Sequence, residues 1–338
     1  MTTYYNAEFA AEYIVKRDPD GNWCKWNEST SEYESLITGL NGSVYCMAEA
    51  PDGKIYVGGN FTNAGGVAAA DYLARWNPVT DAWEAVIPIT EDAANFILTM
   101  AFDANGDLYV GGMFENLGST GGSYIIKITD LNGTPTINAL GTGLNGACWK
   151  LSIAPNGDVY AGGEFTLAGG VANTSHIAKW DVVMGGWSPI GTGLNNVVYA
   201  LAFAPNGDLY IGGNFTNAAY PYLCKWNGTA FSVVGTNTDI GALVYSLAFG
   251  ATGYLYAGGN FTNAGGNANA DYIAKWNGSQ WESLGSSTNG LVREVVVNSG
   301  KVYACGNFTT AGGLTLTDRV AVWSNGSWQP LDIDLPGT

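Results

Sequence analysis

The sequence predicts an all-β chain folded as a β-propeller of four-stranded antiparallel blades, and three observations carry that expectation. A Gly-Gly-x-Phe step or a near copy recurs six times, at Gly58–Phe61, Gly111–Phe114, Gly162–Phe165, Gly212–Phe215, Gly258–Phe261 and Cys305–Phe308. Its phenylalanines are 53, 51, 50, 46 and 47 residues apart, a period that marks one supersecondary unit copied around an axis. Around each step, short runs alternate bulky and small side chains with a period of two, punctuated by Asn-Gly or Asp-Gly pairs, and no run has helical periodicity.

The unit over 193–234 shows each element in order. In VYALAFAP, Tyr199, Leu201 and Phe203 alternate with Val198, Ala200 and Ala202, which is a strand with one bulky and one small face. Asn206-Gly207 then supplies the positive φ values of a two-residue hairpin turn, matched elsewhere by Asp52-Gly53, Asn105-Gly106, Asn156-Gly157 and Ser299-Gly300. The second strand, DLYIGGNF, ends in the glycine pair, read as a bulge or a close backbone approach. A variable loop leads to a third strand of the Tyr-Ile-Ala-Lys-Trp kind, at 72–76, 124–128, 176–180, 222–226, 272–276 and 319–323. Another Asn-Gly turn (Asn227-Gly228, Asn277-Gly278, Asn325-Gly326) precedes a short fourth strand such as 281–284.

Radial closure removes the exposed edges that a linear stack of such sheets would keep. The whole chain, 1–338, is therefore expected to be a single domain with six complete repeats over 40–335. Ahead of them, Trp23–Asn27 matches a third strand and Tyr33–Leu36 a fourth, with Trp26 and Tyr33 spaced like Trp76 and Trp83. Residues 11–37 are thus a partial N-terminal blade or a docking arm, and seven blades, the first abbreviated, are preferred over six.

Thirteen basic against 29 acidic residues give a net charge of −16, which opposes binding to nucleic-acid phosphates and anionic membranes. Only 12% of residues are charged, so solubility leans on Asn, Thr, Ser and Gly as well as that surplus. No apolar run is long enough for a transmembrane helix, and the N-terminus lacks the basic and apolar regions of a secretory signal. The five cysteines have no metal-type spacing and read as small buried hydrophobes.

Catalytic signals are thin. His176 occupies a slot held by Tyr72, Tyr124, Tyr222 and Tyr272 in other repeats, which makes it structural. The Asp103–Asp107 stretch looks like a calcium loop but aligns with Ala-Pro-Asn-Gly-Asp turns and lacks the spaced carboxylates such a loop needs. No catalytic residue, metal site or cofactor is expected. The Trp76/Trp83, Trp180/Trp187 and Trp276/Trp281 pairs recur at equivalent positions and read as blade packing rather than sugar platforms. Asn-Phe-Thr at 60–62, 214–216, 260–262 and 307–309 reads as repeat structure rather than glycosylation acceptors.

The stretch GGNFTNAGGNANADYIAKWNGSQWESLG (258–285) resembles the kelch-type repeat of the Rax2-like cortical-marker family, with related repeats in bacterial surface proteins and bacteriophage tail or adhesin proteins. The resemblance covers most of the chain. It implies a scaffold with binding faces more than an activity.

In an up-and-down blade the first and third hairpins share one face, and the two–three loops and blade connections share the other. Variation gathers on the second face, around 87–95, 115–123, 217–222 and 236–242. Asn63, Asp71, Tyr220, Asn263, Asp271 and Asp318 are therefore the candidate binding residues. Cys46, Thr99, Lys150, Ala200, Ser246 and Arg293 align at one variable place on the first strand, so Lys150 and Arg293 are candidate channel cations. The expected function is a non-enzymatic binding or structural propeller of a virion or cell surface, a bacteriophage tail or adhesin component foremost. A bacterial surface carbohydrate-binding module is the alternative, with a propeller hydrolase or lyase third. The expected partners are other virion or surface proteins, a host-surface glycan or protein, or further copies of the chain, with no nucleic acid and no membrane insertion. The expected location is a virion or extracellular surface, with the cytoplasm as alternative.

Overall fold

A computed structural model describes residues 40–87, 96–115, 117, 122–217, 219–236, 238–315 and 319–330, and the backbone of three strands nearer the N-terminus. The chain is an all-β six-bladed propeller of four-stranded antiparallel sheets, in which neighbours in sequence are neighbours in the sheet. The inner strands are Val44–Glu49, Phe96–Phe102, Cys148–Ile153, Val198–Phe203, Val244–Phe249 and Val292–Asn298, and their blades are numbered one to six. Each inner strand packs on the next from blade one to blade six. Two short 3-10 segments, Ala64–Gly66 and Ala264–Gly266, stand at equivalent loop positions.

The preferred seventh blade is not a complete one. Val15–Arg17, Trp23–Asn27 and Glu32–Ser35 form a separate three-stranded sheet, in which Trp26 pairs with Tyr33 as Trp76 pairs with Trp83. Val15–Arg17 pairs with the third-strand equivalent Trp23–Asn27 and so stands in the second-strand place, without a Gly-Gly-x-Phe step, and the described residues of this sheet supply three strands where the other blades have four. Residues 11–14, 18–22, 28–31 and 36–37 of the expected partial blade lie outside the described residues.

The glycine pair has two jobs, one for each glycine. A Cβ on Gly58, Gly162 or Gly212 would lie 2.5, 2.5 or 2.6 Å from Ile97, Val198 or Val244 on the next blade, so the first glycine lets blades approach. A Cβ on Gly59, Gly112 or Gly163 would lie 2.0 Å from the carbonyl oxygen of Ser43, Phe96 or Ala147 in the same blade. The second glycine therefore admits a backbone crossing, and the bulge it accompanies is on the first strand, not the second as the glycines suggested. Val44 pairs with Gly59 and Cys46 with Gly58, leaving Tyr45 as the extra residue. The phenylalanine that follows is the anchor: Phe61, Phe165, Phe215 and Phe261 are fully buried.

Five hydrophobic clusters straddle the five junctions between consecutive blades. Edge-on aromatic pairs cross three of these junctions, Tyr56–Phe102 at 5.1 Å and Tyr160–Phe203 and Tyr210–Phe249 at 5.2 Å. Each third strand begins one residue later than its sequence pattern implies. Tyr72, Tyr124, His176, Tyr222, Tyr272 and Arg319 are left-handed, with φ between 60° and 67°. In that conformation each donates its N–H to the carbonyl of the buried phenylalanine and accepts the N–H of the second glycine. Satisfying both groups offsets the conformational cost of a non-glycine residue at positive φ.

Candidate functional site

The inner strands start on the face that carries the two–three loops and blade connections, and the bulges lie at that end. The six bulged residues are Tyr45, Leu98, Trp149, Tyr199, Tyr245 and Arg293. Their strand neighbours Ile97, Cys148, Val198, Val244 and Val292 are buried between blades, whereas all six bulged side chains are half-exposed. They line a central cavity of about 1040 Å³. A bulge takes a residue out of the alternation of the ladder and re-aims its side chain. Here it turns one residue per blade toward the axis.

Four of those residues are aromatic, and three are contiguous. Trp149 meets Tyr199 edge-on at 5.7 Å, and Tyr199 meets Tyr245 at 5.2 Å with a 41° tilt. The Arg293 guanidinium continues the row 5.5 Å above the Tyr245 ring and donates from Nε to Asn307 Oδ1 at 3.2 Å. On the other side Tyr45 meets Phe96 at 6.0 Å. The indole Nε1–H of Trp149 is buried and has no hydrogen-bond acceptor among the described residues.

The expected alignment of Arg293 with Cys46, Thr99, Lys150, Ala200 and Ser246 is off by one. Glu294 pairs with Cys305 as Cys46 pairs with Gly58, so Glu294 fills that slot and Arg293 is the bulged residue. The sixth blade's first hairpin is one residue shorter: Val297 and Val302 enclose four residues, where Glu49 and Ile55 enclose five. Counting back from Ser299-Gly300 therefore lands one position early. Lys150 and Glu294 now occupy equivalent slots on blades three and six, and their charged ends meet at 3.6 Å. Those blades are not neighbours, so the pair spans the channel. Lys150 and Arg293 both line the cavity, Glu294 does so beside them, and Glu49 lines it from the hairpin end.

The loop candidates are braces. Asp71 accepts the N–H of Asn63 at 2.6 Å, and Asp271 that of Asn263 at 2.8 Å, holding both asparagines left-handed at the start of a 3-10 turn. Tyr220 is half-buried against Phe231, 5.4 Å between ring centroids. Asp318 and the loop stretches 88–95 and 118–121 lie outside the described residues. Connector asparagines clamp three of the Asn-Phe-Thr threonines. Asn41 donates to Thr62 Oγ1 at 2.8 Å while accepting the Thr62 N–H at 2.7 Å, Asn195 with Thr216 and Asn289 with Thr309 repeat the clamp, and so does Asn145 with Thr166 of the Glu-Phe-Thr step.

The remaining reactive groups are tied into the scaffold. The His176 ring Nδ1 lies 3.1 Å from the Gly163 carbonyl oxygen. Cys46, Cys148, Cys224 and Cys305 are buried, and burial pushes the Cys148 and Cys224 thiols well above the ordinary thiol range. Asp103 accepts the N–H groups of Asn105 and Asp107 and pairs with Lys127, as a turn residue does. Among the described residues no group of three or more His, Cys, Asp or Glu side chains is placed to hold a metal. The tryptophan pairs are cross-strand partners within one blade, 5.4 to 5.5 Å apart, and Trp187 and Trp328 also donate to the carbonyls of Leu140 and Leu284 in the preceding connector.

Residues 50–78 match the family model described as a domain of unknown function (DUF5122) beta-propeller, a segment covering the second and third strands of blade one. No curated protein matches the chain. Among solved structures, a chain of the mitotic checkpoint complex is 16% identical with a TM-score of 0.55, covering 85% of this chain and 78% of that one. The computationally designed Ika8 protein is 16% identical with a TM-score of 0.56, covering 94% and 82%. Virginiamycin B lyase from Staphylococcus aureus is 12% identical with a TM-score of 0.52, covering 86% and 89%. The likeness is one of fold.

The bulged aromatics escaped the sequence reading because each sits inside a regular-looking alternation. The available signal was a bulky residue following Val44, Cys148, Val198 and Val244 at the same point in each repeat.

Proposed function

We propose that this chain is a non-catalytic recognition propeller of a virion or cell surface, a bacteriophage tail or adhesin component foremost, that engages its ligand at the mouth of the central cavity. The observation that carries this reading is the half-exposed aromatic row Trp149–Tyr199–Tyr245, which faces a cavity on the face where the loops vary. Half-exposed aromatic rings at a concave mouth supply contact area at low entropic cost. The acidic, lightly charged surface and the kelch-type repeat resemblance support a surface role. A non-catalytic assignment is supported, among the described residues, by His176, four buried cysteines and the loop aspartates Asp71 and Asp271, which are engaged in the scaffold.

The test is binding of labelled protein to intact bacterial cells and to purified virions, with wild type beside the Tyr199→Ala/Tyr245→Ala double variant. Retention should fall at least tenfold in the variant while its melting curve stays cooperative. Retention equal to wild type overturns the cavity-mouth reading, and turnover of a ligand by the wild type overturns the non-catalytic one.

A further inference from the structure

We infer that the ligand class of this cavity is a neutral oligosaccharide, seated with pyranose rings against the Trp149–Tyr199–Tyr245 row. The inference rests on the recognition reading above and adds the chemistry of what is recognised. A pyranose has an apolar C–H face and a rim of hydroxyls. It therefore needs a ring to stack on, together with donors and acceptors at its edge, in a cavity wide enough for more than one sugar.

Each requirement has a counterpart. The aromatic row runs across three consecutive blades with centroid steps of 5.7 and 5.2 Å, so the platform is extended rather than a single ring. The Arg293 guanidinium, 5.5 Å above the Tyr245 ring, places N–H donors at the end of that row. The Lys150–Glu294 pair at 3.6 Å, next in sequence to Trp149 and Arg293, lines the same cavity and offers donors and acceptors to hydroxyl groups. The volume, about 1040 Å³, stands at the upper end of ordinary ligand sites.

Charge selects the neutral class over an acidic one. At the bulge end the lining holds Lys150, Arg293 and Glu294, with Glu49 at the hairpin end of its strand. Lys150 already faces Glu294, and Arg293 already stacks on Tyr245 and bonds Asn307. An anionic glycan would also approach against a whole-chain charge of −16. An aromatic site whose cations already have partners, in an acidic protein, favours a ligand without charge.

The experiment is a panel of neutral hexose and N-acetylhexosamine oligosaccharides beside sialylated, uronate-bearing and sulfated counterparts, with hits titrated at low and 0.5 M salt. Tyr199→Ala and Tyr245→Ala are compared with Tyr199→Phe, all checked by circular dichroism and melting. The expected result is binding of neutral glycans that weakens at least tenfold in either alanine variant, is largely kept in Tyr199→Phe, and changes less than twofold with salt. Hits confined to anionic glycans, or neutral hits indifferent to the alanine variants, overturn the inference. So does a panel without hits. In that last case the cell and virion assay separates the two readings: retention lost in the double variant keeps recognition at the mouth, and retention unchanged ends both.

Discussion

The two ends of the inner strands obey different rules. At the hairpin end the chemistry repeats. Lys127, Lys179 and Lys225 each reach a turn carboxylate of their own blade, Asp107 at 2.8 Å, Asp158 at 2.9 Å and Asp208 at 3.2 Å, beside a second-strand tyrosine. Two of those tyrosines, Tyr160 and Tyr210, pack edge-on against the next blade's phenylalanine. At the bulge end, a few residues away, the six equivalent side chains are Tyr, Leu, Trp, Tyr, Tyr and Arg. Inter-blade packing reaches the first set and dictates it, because a neighbouring backbone or ring fills the space around each side chain. The bulge frees the second set from the ladder, so a residue there answers to the cavity. A repeated position reports architecture, and a varied position on the same strand reports what the architecture presents.

Breaking the repeated side should have the largest effect. Phe165→Ala removes a fully buried ring and should cost about 3–5 kcal/mol, read from urea or thermal unfolding. Gly163→Ala places a Cβ 2.0 Å from the Ala147 carbonyl oxygen and should cost about 1–3 kcal/mol, because the strain falls on backbone. A Gly163→Ala protein as stable as wild type would mean that the bulge does not require glycine.

Acid sharpens the comparison, since the repeated lysine–aspartate pairs sit at the hairpin end. Burial alone would raise the Asp158 carboxyl, but hydrogen bonds from Lys179, Asn156 and the Val182 N–H hold it below the usual range. Its stabilisation is therefore complete above the unfolded carboxylate value, about 4, and is lost as pH falls through the lower folded value. Melting temperature should drop below about pH 4, and Asp158→Asn should remove about 1 kcal/mol at neutral pH while shallowing that drop. The mouth should be the tolerant end. Tyr199→Ala should cost about 1–2 kcal/mol in stability, the scale of its two half-buried aromatic pairs, while binding falls at least tenfold. Lys150→Met should change stability by less than about 0.5 kcal/mol, because the pair with Glu294 is partly solvated.

Blade six shows how far the repeat can be trusted. It carries Cys305 where blades one to five have the first glycine and Val322 where they have Arg75, Lys127, Lys179, Lys225 and Lys275. Tyr303, Cys305 and Val322 form a small cluster of their own rather than joining an inter-blade core. Those departures are visible in the sequence, but the shortened hairpin beside them hid the one-residue shift that makes Arg293 the bulged residue.

The sequence by itself determined the unit: its strand alternation, its Asn-Gly and Asp-Gly turns, its buried phenylalanine, its six copies, and the structural standing of His176 and the Asn-Phe-Thr steps. These follow from local periodicity and from φ preferences, which act over a few residues and leave a readable pattern. Tertiary structure decided which glycine meets a neighbouring blade and which meets its own backbone, that Asp71 and Asp271 brace loops, and that Lys150 finds Glu294 across the axis. It also decided the mouth. Tyr199 and Leu201 look alike in the alternation, and only the bulge, a matter of hydrogen-bond register between two strands, turns one to the cavity while the other is buried.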